Sequence, residues 1–388
     1  MDVRFLGIGL FAQFSLAFLF FQVPLISDIL MSLNFIIAAI EAATLEGTRF
    51  LFGYLGGGSE PFEVSEGGYL YLFAFRVLPN VIVFCVLIAV LWYWKVLPKI
   101  VTGFGFLLRR VFKVSGAVGT SAAATLFLGM VETPMIIRAY LTKLTRSEFF
   151  TVMTCGMSTV AGSVMIIYAN TLSDIIPGAI GHIVVGSVLN IVGAIYVSRI
   201  IVPEDSTPTS TDKFEDLGYS STMDAITRGT QDGLKLALNI GGMLLVIISL
   251  VALVNGVLGL LEISGEPLSL QRMLGWLFSP LAWLIGVPWS EAHLAGNLMG
   301  SKIVLNEMIA FIELAALGND LSENSRLVLL YALCGFANFG SLGILIGGLS
   351  TLVPERKMDY LSLAPKSLIS GNVVTFISAS LVGLAISI

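Results

Sequence analysis

The chain has few charged residues: they make up 12% of its 388 positions, where a soluble globular domain carries about a quarter. Apolar residues fill 56% of the sequence, in runs long enough to cross a hydrocarbon core as helices of roughly 20 residues. These runs lack the two-residue alternation of a lipid-facing barrel. The composition therefore excludes a soluble protein and predicts an all-α polytopic membrane protein.

Cysteine and histidine are also scarce. The three cysteines are an odd number and lie in apolar segments, which argues against a disulfide framework. His182 and His293 have no acidic or cysteine partner at metal-ligand spacing. The sequence contains neither HExxH nor GxSxG, the motifs of zinc peptidases and serine hydrolases. We therefore expect no catalytic residue and no cofactor, and an intramembrane enzyme is the weaker alternative.

Glycine, by contrast, is abundant. The 40 glycines permit close helix packing and helices that break inside a membrane. An N-terminal span is predicted over 5–25, without the cleavage site of a removable signal peptide. The whole of 1–388 is interpreted as a single membrane domain. Its predicted parts are a first repeat over 69–200 with a re-entrant hairpin at 120–141, a cytoplasmic polar loop and linker over 201–235, and a second repeat over 236–388 with a re-entrant hairpin at 289–317.

Each repeat combines one carboxylate in its hairpin with one transmembrane helix that small and polar residues break. Glu132 precedes the sequence Cys155–Ser163, and Glu307 precedes Cys334–Ser341. Most of the 21 basic residues fall on the cytoplasmic side when the basic cluster within 95–113 is placed there, in line with the positive-inside rule. The two hairpins then enter from opposite sides, and such inverted repeats are the usual construction of secondary transporters with a midplane site. A channel is a further alternative, but inverted hairpins favour alternating access.

Two interpretations of the carboxylates stay open at this point. A carboxylate in hydrocarbon is costly unless it is paired or faces a water-filled cavity. Glu307 and Glu132 therefore either serve a polar solute or pair structurally, with Lys302 and Arg138 as the nearby cations. The repeated arrangement favours the first interpretation.

Six motifs together point to a known family. They are Phe75–Pro79, Gly286–Ala292, Asn306–Glu307, Tyr331–Asn338, Ile346–Gly348 and Pro354–Arg356. In these motifs, and across nearly its whole length, the chain resembles the concentrative nucleoside transporters of the bacterial type. Relative to that family, a first membrane helix is expected to be missing before Met1.

The resemblance implies a homotrimer that imports nucleosides across the bacterial inner membrane by an elevator-type motion, as a symporter with Na⁺ or H⁺. The partners it implies are nucleoside and membrane lipid, without nucleic acid. By matching positions, the implied substrate-binding residues are Glu307, Asn338, Ser341, Phe336, Glu132, Met130, Val131 and Val164, the first three of them at the ribose hydroxyls. The implied ligands of a Na⁺ site are Thr125, Leu128, Thr159 and Val160.

The chain departs from the family pattern at two places. The first hairpin tip usually reads Gly-Gln-Thr/Ser-Glu, whereas this chain has Met130 and Val131 before Glu132, so that apolar side chains replace those expected to bind the nucleobase. Sodium-coupled members place an asparagine at the position of Thr125, and a hydroxyl is a weaker ligand than an amide carbonyl for a hard cation. An alternative is therefore a proton-coupled transporter of a modified nucleoside or another ribose-containing or polar solute, with Glu132 or Glu307 as the protonated group.

Overall fold

The computed structural model describes residues 3–22, 39–62, 72–76, 78–207, 209, 217–263 and 265–387. The predicted positions 23–25 of the N-terminal span, 69–71 of the first repeat, 208 and 210–216 of the polar loop, and 388 lie outside these residues. The helices are α1 (Val3–Gln22), α2 (39–52), α3 (Phe73–Arg76), α4 (Leu78–Tyr93), α5 (Val96–Phe112), α6 (Gly116–Ala124), α7 (Glu132–Ile136), α8 (Arg138–Leu141), α9 (Arg146–Ser158), α10 (Gly162–Leu172), α11 (Ala179–Ile201), α12 (Thr222–Leu258), α13 (Leu270–Leu284), α14 (Ala292–Val304), α15 (Glu307–Leu317), α16 (Glu323–Leu333), α17 (Phe339–Leu352) and α18 (Lys357–Ser387). Short 3₁₀ turns cover Gly53–Gly56, Gly318–Asp320 and Pro354–Arg356, and the two strands, β1 (Glu262–Ile263) and β2 (Glu266–Pro267), form an antiparallel pair.

Four helical segments of the described chain are long and apolar enough to cross a membrane. They are Phe5–Gln22, Phe73–Tyr93, Ala179–Ile201 and Pro354–Ser387. Apart from the 37-residue helix α12, the other helices of the described chain have at most 17 residues, as expected if part of the chain enters the membrane without crossing it in one continuous helix. The prediction of an all-α fold is confirmed.

The centre of the molecule consists of α9, α11, α16 and α18, which pack against one another. The buried apolar side chains form two clusters, and α11 contributes to both. Residues 179–189 of this helix belong to one cluster, together with side chains of α10, α15 and α16. Residues 191–197 belong to the other, together with side chains of α6, α9 and the first half of α18. Asn190 therefore lies on α11 at the boundary between the two clusters.

Two helical hairpins flank this centre. In the first, the turn 125–131 joins α6 to the short helices α7 and α8, and in the second Leu305 and Asn306 join α14 to α15. The first hairpin begins at Gly116, before the predicted position 120, because the Ser115 hydroxyl caps α6 by accepting a hydrogen bond from the Val118 N–H at 3.4 Å. The second hairpin is capped within its turn, where the Asn306 side chain accepts from the Ile309 N–H at 2.9 Å.

Two helices are broken in the middle. The interruption between α9 and α10 is confined to residues 159–161, so that Gly156 and Ser158, which lie within the predicted interruption Cys155–Ser163, are still helical. The interruption between α16 and α17 covers 334–338, and Asn338 caps α17. Each break leaves backbone groups without intrahelical partners, which a membrane tolerates only where protein, ligand or enclosed water satisfies them.

An arginine of the Pro354–Arg356 motif ties the end of the first hairpin to α18. Its guanidinium donates to the carbonyl oxygens of Leu141 at 3.0 Å and Leu144 at 2.7 Å, and it forms an ion pair with Asp359 at 2.8 Å. The same group lies 4.4 Å from the centroid of the Phe149 ring. Arg356 thus satisfies the last carbonyls of α8 and the segment that follows it, a function that suits the planar, multiply donating guanidinium.

The peripheral helices approach one another through glycine. Helix α4 packs along α12, where added Cβ atoms at Gly229 and Gly233 would lie 2.9 and 2.7 Å from α4 backbone atoms. The amphipathic α13 packs on α14, where a Cβ at Gly296 would lie 2.6 Å from the Gly275 carbonyl oxygen and 2.7 Å from the Ser279 nitrogen. Contacts this short leave room for glycine only.

We predict that Gly296→Ala lowers the thermal unfolding midpoint in detergent, because the added methyl must push α13 away from α14, at a cost of about 1–3 kcal/mol. Gly103→Ala in α5 is the matched control, since no atom lies within 4 Å of its Cβ position. The control should be neutral or gain about 0.5–1 kcal/mol from helix propensity. Thermal melts followed by gel filtration measure both, and equal midpoints would contradict the backbone contact between α13 and α14.

Candidate functional site

The Glu307 carboxylate lies at the meeting point of three elements. It begins α15 and is only 5% exposed. Its Oε1 accepts a hydrogen bond from the Tyr168 hydroxyl of α10 at 2.7 Å, and its Oε2 accepts from the Asn338 side-chain nitrogen at 2.8 Å. Both donors are neutral, and the helix N-terminus adds a favourable dipole. The carboxylate is therefore held in place by neutral donors, and no cation of the described residues lies within 4 Å of it.

Asn338 links this carboxylate to the second broken helix. Its side-chain nitrogen donates to Glu307, and its Oδ1 accepts from the Ser341 backbone N–H at 2.7 Å, which caps α17. Ser341 is 7% exposed and lies in the first turn of α17. The structure thus brings together Glu307, Asn338 and Ser341, which the resemblance places at the ribose.

Glu132 occupies the corresponding position in the first hairpin. It begins α7, is exposed, and lies with its Oε2 directly over Gly129. The alternative ion pairs, of Glu132 with Arg138 and of Glu307 with Lys302, are not formed: within the described chain neither pair approaches to 4 Å. Among the described residues, neither hairpin carboxylate is therefore neutralised by an ion pair.

The two apolar residues of the first hairpin tip pack on protein. Met130 is buried, with its Cβ 3.0 Å from the Cβ position of Gly156 in α9. Val131 is half-buried, and its methyl groups are 2.9 Å from the Cβ position of Gly348 in α17. The tip therefore packs between the two broken helices, in contact with α9 on one side and α17 on the other.

The remaining substrate-binding candidates lie at the breaks. Val164 is 5% exposed and stands one turn before Tyr168 on α10. Phe336 is half-buried between the two apolar clusters, and its backbone N–H donates to the Thr159 carbonyl oxygen at 3.2 Å. That hydrogen bond joins the break after α9 directly to the break after α16.

The four residues implied as Na⁺ ligands lie at the first hairpin turn and the first break. The Thr125 hydroxyl donates to the Ala122 carbonyl oxygen at 2.7 Å, and the Thr159 hydroxyl donates to that of Cys155 at 2.9 Å. Leu128 and Val160 contribute backbone carbonyl groups in the same two segments. Because each hydroxyl donates its hydrogen bond to a helix carbonyl, its oxygen lone pairs remain available to a cation. Among the described residues no cluster of three histidine, cysteine or acidic side chains could hold a metal, so a cation here would have neutral oxygen ligands.

Sequence reasoning missed Tyr168 and the environment of Lys302. Lys302 is fully buried in α14, where its ammonium donates at 2.9 Å both to the Ala332 carbonyl oxygen and to the Thr375 hydroxyl. It thereby satisfies a carbonyl in the last turn of α16. For Lys302 the sequence offered only its position five residues before Glu307, which lies on the next helix, α15. For Tyr168 the sequence offered only its position among small and apolar residues of α10.

The arrangement binds and orients but has no catalytic chemistry. A fixed carboxylate, an amide and a hydroxyl converge where two broken helices meet, and the described residues around them include no nucleophile paired with a base. Such a site can recognise a polar, hydroxylated solute. The neighbouring oxygens of the first break can serve a small cation.

Comparison with known proteins agrees with this geometry. Residues 182–383 match the family described as "Na+ dependent nucleoside transporter C-terminus", residues 1–55 match its N-terminal counterpart, and residues 74–174 match a family described as "Nucleoside recognition". The nucleoside permease NupC of Helicobacter pylori is 37% identical over 97% of this chain and 90% of its own length. Solute carrier family 28 member 3 of Homo sapiens is 30% identical over 81% of this chain and 48% of its own length.

Solved structures with the same fold include those of CNTnw. The inward-facing, substrate-bound state of CNTnw has 35% sequence identity and a TM-score of 0.89, covering 99% of this chain and 93% of that one. A variant in a state named intermediate 2 gives a TM-score of 0.93 over 100% of this chain and 93% of that one. These similarities confirm the predicted polytopic membrane fold with its hairpins and broken helices.

We predict a graded loss of stability for two substitutions of Asn338. Asn338→Ser retains an oxygen that can cap α17 but loses the donor to Glu307, whereas Asn338→Ala loses both. Loss of the donor leaves a buried acceptor unsatisfied at about 1–3 kcal/mol, and loss of the cap costs about 1 kcal/mol more. Thermal melts in detergent should rank wild type above serine above alanine. Equal midpoints for the two variants would show that Asn338 does not stabilise α17 as its cap.

Proposed function

This chain belongs to the concentrative, Na⁺-dependent nucleoside transporter family, and we propose that it is a cation-coupled symporter that imports nucleosides across the bacterial inner membrane. It is a transporter and not an enzyme. The observation that carries the proposal is the Glu307 carboxylate, which Tyr168 and Asn338 hold from two broken helices.

The hydrogen bonding of Glu307 leaves it suited to a ribose. Each carboxylate oxygen offers two lone pairs, and one of these on each oxygen is already used by Tyr168 or Asn338. One acceptor site therefore remains on each oxygen, which matches the two hydroxyl donors of a vicinal diol. Hydrogen bonds to an ionised acceptor are also stronger than those between neutral groups.

Recognition of the nucleobase would rest on fewer polar groups. Val164 and Phe336 offer apolar surface, while Met130 and Val131 pack against Gly156 and Gly348. Glu132 then remains as the polar side chain of the first hairpin tip, and a carboxylate accepts from N–H groups. We therefore propose that the site favours bases that present amino or imino donors to Glu132.

We propose Na⁺ as the coupling ion, held by the side chains of Thr125 and Thr159 and the carbonyl oxygens of Leu128 and Val160. Neutral oxygen ligands suit a hard cation, and the free lone pairs of both hydroxyls support this assignment. Proton coupling is the second candidate. It is favoured by Glu132, an exposed carboxylate at the hairpin tip that forms no ion pair within the described chain.

The proposed motion is an elevator movement of the hairpins and broken helices as one unit. Its support is the division of contacts: α4 and α12 pack mainly with each other, while the hydrogen bonds of the site join the second hairpin to both broken helices and the two breaks to each other. In this proposal the repeats over 69–200 and 236–388 form the two halves, connected by 201–235. A homotrimer would place exposed leucines of α12 at an interface or against lipid.

Uptake into proteoliposomes tests the function. Radiolabelled uridine and adenosine should accumulate when a Na⁺ gradient is imposed at constant pH, and a pH gradient without Na⁺ should support uptake only if the second candidate applies. Glu307→Gln should reduce uptake to the level of empty vesicles while the protein still inserts, because one acceptor for the diol becomes a donor. Transport by this variant at the wild-type rate would refute the ribose assignment, and absence of accumulation under both gradients would refute symport.

Tyrosine substitutions give a finer test of the site. Tyr168→Phe removes the hydroxyl that orients Glu307, and it should weaken uridine binding about tenfold, which corresponds to roughly 1.4 kcal/mol. Tyr331→Phe is the matched control, since this buried tyrosine bonds His182 at 3.1 Å instead. Calorimetric titration in detergent measures both dissociation constants. Equal affinities for the two variants would show that Tyr168 does not position the carboxylate.

A further inference from the structure

One asparagine on α11 is hydrogen-bonded to both helix breaks. Asn190 is fully buried, and its side-chain nitrogen donates to the carbonyl oxygens of Ser158 and Cys334, each at 2.8 Å. Ser158 is the last residue of α9, and Cys334 caps the end of α16. A single amide therefore satisfies one orphan carbonyl at each break.

A chain of buried polar groups fixes the orientation of this amide. Asn190 Oδ1 accepts from the Ser378 hydroxyl of α18 at 2.5 Å, and that hydroxyl accepts from the Gln13 side chain of α1 at 2.8 Å. Gln13 in turn accepts from the Tyr196 hydroxyl at 2.5 Å. Since carbonyl oxygens only accept, the nitrogen of Asn190 must face the breaks. Three side chains, from α18, α1 and α11, thus hold one amide in one orientation.

The breaks also touch each other directly. Besides the hydrogen bond from the Phe336 N–H to the Thr159 carbonyl, a Cβ at Gly335 would lie 2.7 Å from the Ser158 carbonyl oxygen. Thr159 belongs to the proposed cation site and Phe336 to the proposed nucleoside site. A shift of the backbone at one break is therefore transmitted to the other, either through this contact or through Asn190.

We propose that Asn190 is the positioning residue that couples cation binding at the first break to nucleoside binding at the second. The inference rests on the proposed symport and adds to it the group through which the two sites influence each other. Coupling between two ligands is a free energy that each exerts equally on the other. A rigid amide bonded to both breaks favours the same relative placement of their carbonyls, so that the ligand that stabilises one break also preorganises the other.

The matching asparagine of the second repeat behaves differently. Asn372 of α18 is 7% exposed and donates to the Ala337 carbonyl oxygen at 2.9 Å, but its other bond, at 3.0 Å, goes to Leu368 in its own helix. Asn372 therefore holds only one break. It provides a control of the same residue type in a similar setting.

The experiment measures the coupling itself. The dissociation constants of uridine and of adenosine are determined by calorimetry in detergent, in saturating NaCl and in choline chloride at fixed pH, and also across a pH series without Na⁺. For each nucleoside, the dissociation constant without cation is divided by the dissociation constant with cation. This ratio, expected at roughly 5- to 150-fold for the wild type, should fall below about 2-fold in Asn190→Ala and in the isosteric Asn190→Asp. Asn372→Ala should weaken binding equally under both conditions and leave the ratio unchanged.

Each outcome decides the proposal. A folded Asn190 variant with the wild-type ratio, or an equal loss of the ratio in Asn372→Ala, would overturn it. A wild-type ratio of 1 for both cations would instead refute the proposed symport, and the role of Asn190 with it. If neither variant folds, hydrogen exchange of the wild type decides: NaCl or protons alone, without nucleoside, should slow exchange of the Phe336 and Asn338 amides. Unchanged exchange would overturn the proposal.

Discussion

The structure depends on one constraint, which is that backbone groups freed by a broken helix must find partners where bulk water is absent. The partners in this chain are side chains with several donors. Asn190 serves both breaks, Lys302 serves the last turn of α16, and Arg356 serves the end of the first hairpin. Each lies on a different element from the carbonyls it satisfies. The hydrogen bonds that satisfy the carbonyls freed at helix breaks and ends therefore also link one element to another.

The buried charged side chains are likewise bonded to neutral partners. The Glu307 carboxylate is buried beside neutral donors, while the fully buried Lys302 ammonium is bonded to a carbonyl and a hydroxyl. An ion pair between them would have satisfied both groups, and it would also have removed the acceptor that a diol needs. Holding the two charges apart leaves the carboxylate able to bind a ligand. Neutral oxygens at the first break likewise leave that position open to a cation.

Much of this could be predicted from the sequence because the membrane imposes simple rules. Scarce charge and long apolar runs predicted an all-α membrane fold, and the paired carboxylates together with small polar clusters predicted two hairpins and two broken helices. The motif around Glu307 and Asn338 led to the family. Boundaries were less accurate: the first hairpin begins at Gly116, and α9 remains helical through Gly156, since one glycine in a packed helix does not end it.

What the sequence did not reveal are contacts between distant elements. Tyr168 and Glu307 are 139 positions apart, and Asn190 and Cys334 are 144 apart. A tyrosine or asparagine in an apolar helix carries no local sign of its partner. The resemblance implied Met130 and Val131 as substrate-binding residues, and only the structure shows the glycines, at 156 and 348, against which they pack.

The position of Asn190 bears on how such a protein could have arisen. If the two repeats descend from one duplicated gene, the ancestral half-length chain had a single break, and an amide placed like Asn190 would have had only one carbonyl to serve. Two antiparallel copies in one membrane would have supplied the second. Fusion into one polypeptide would then have made the second partner permanent. It would also have allowed the two asparagines to diverge, so that Asn190 bonds the breaks of both halves and Asn372 bonds only the break of its own half.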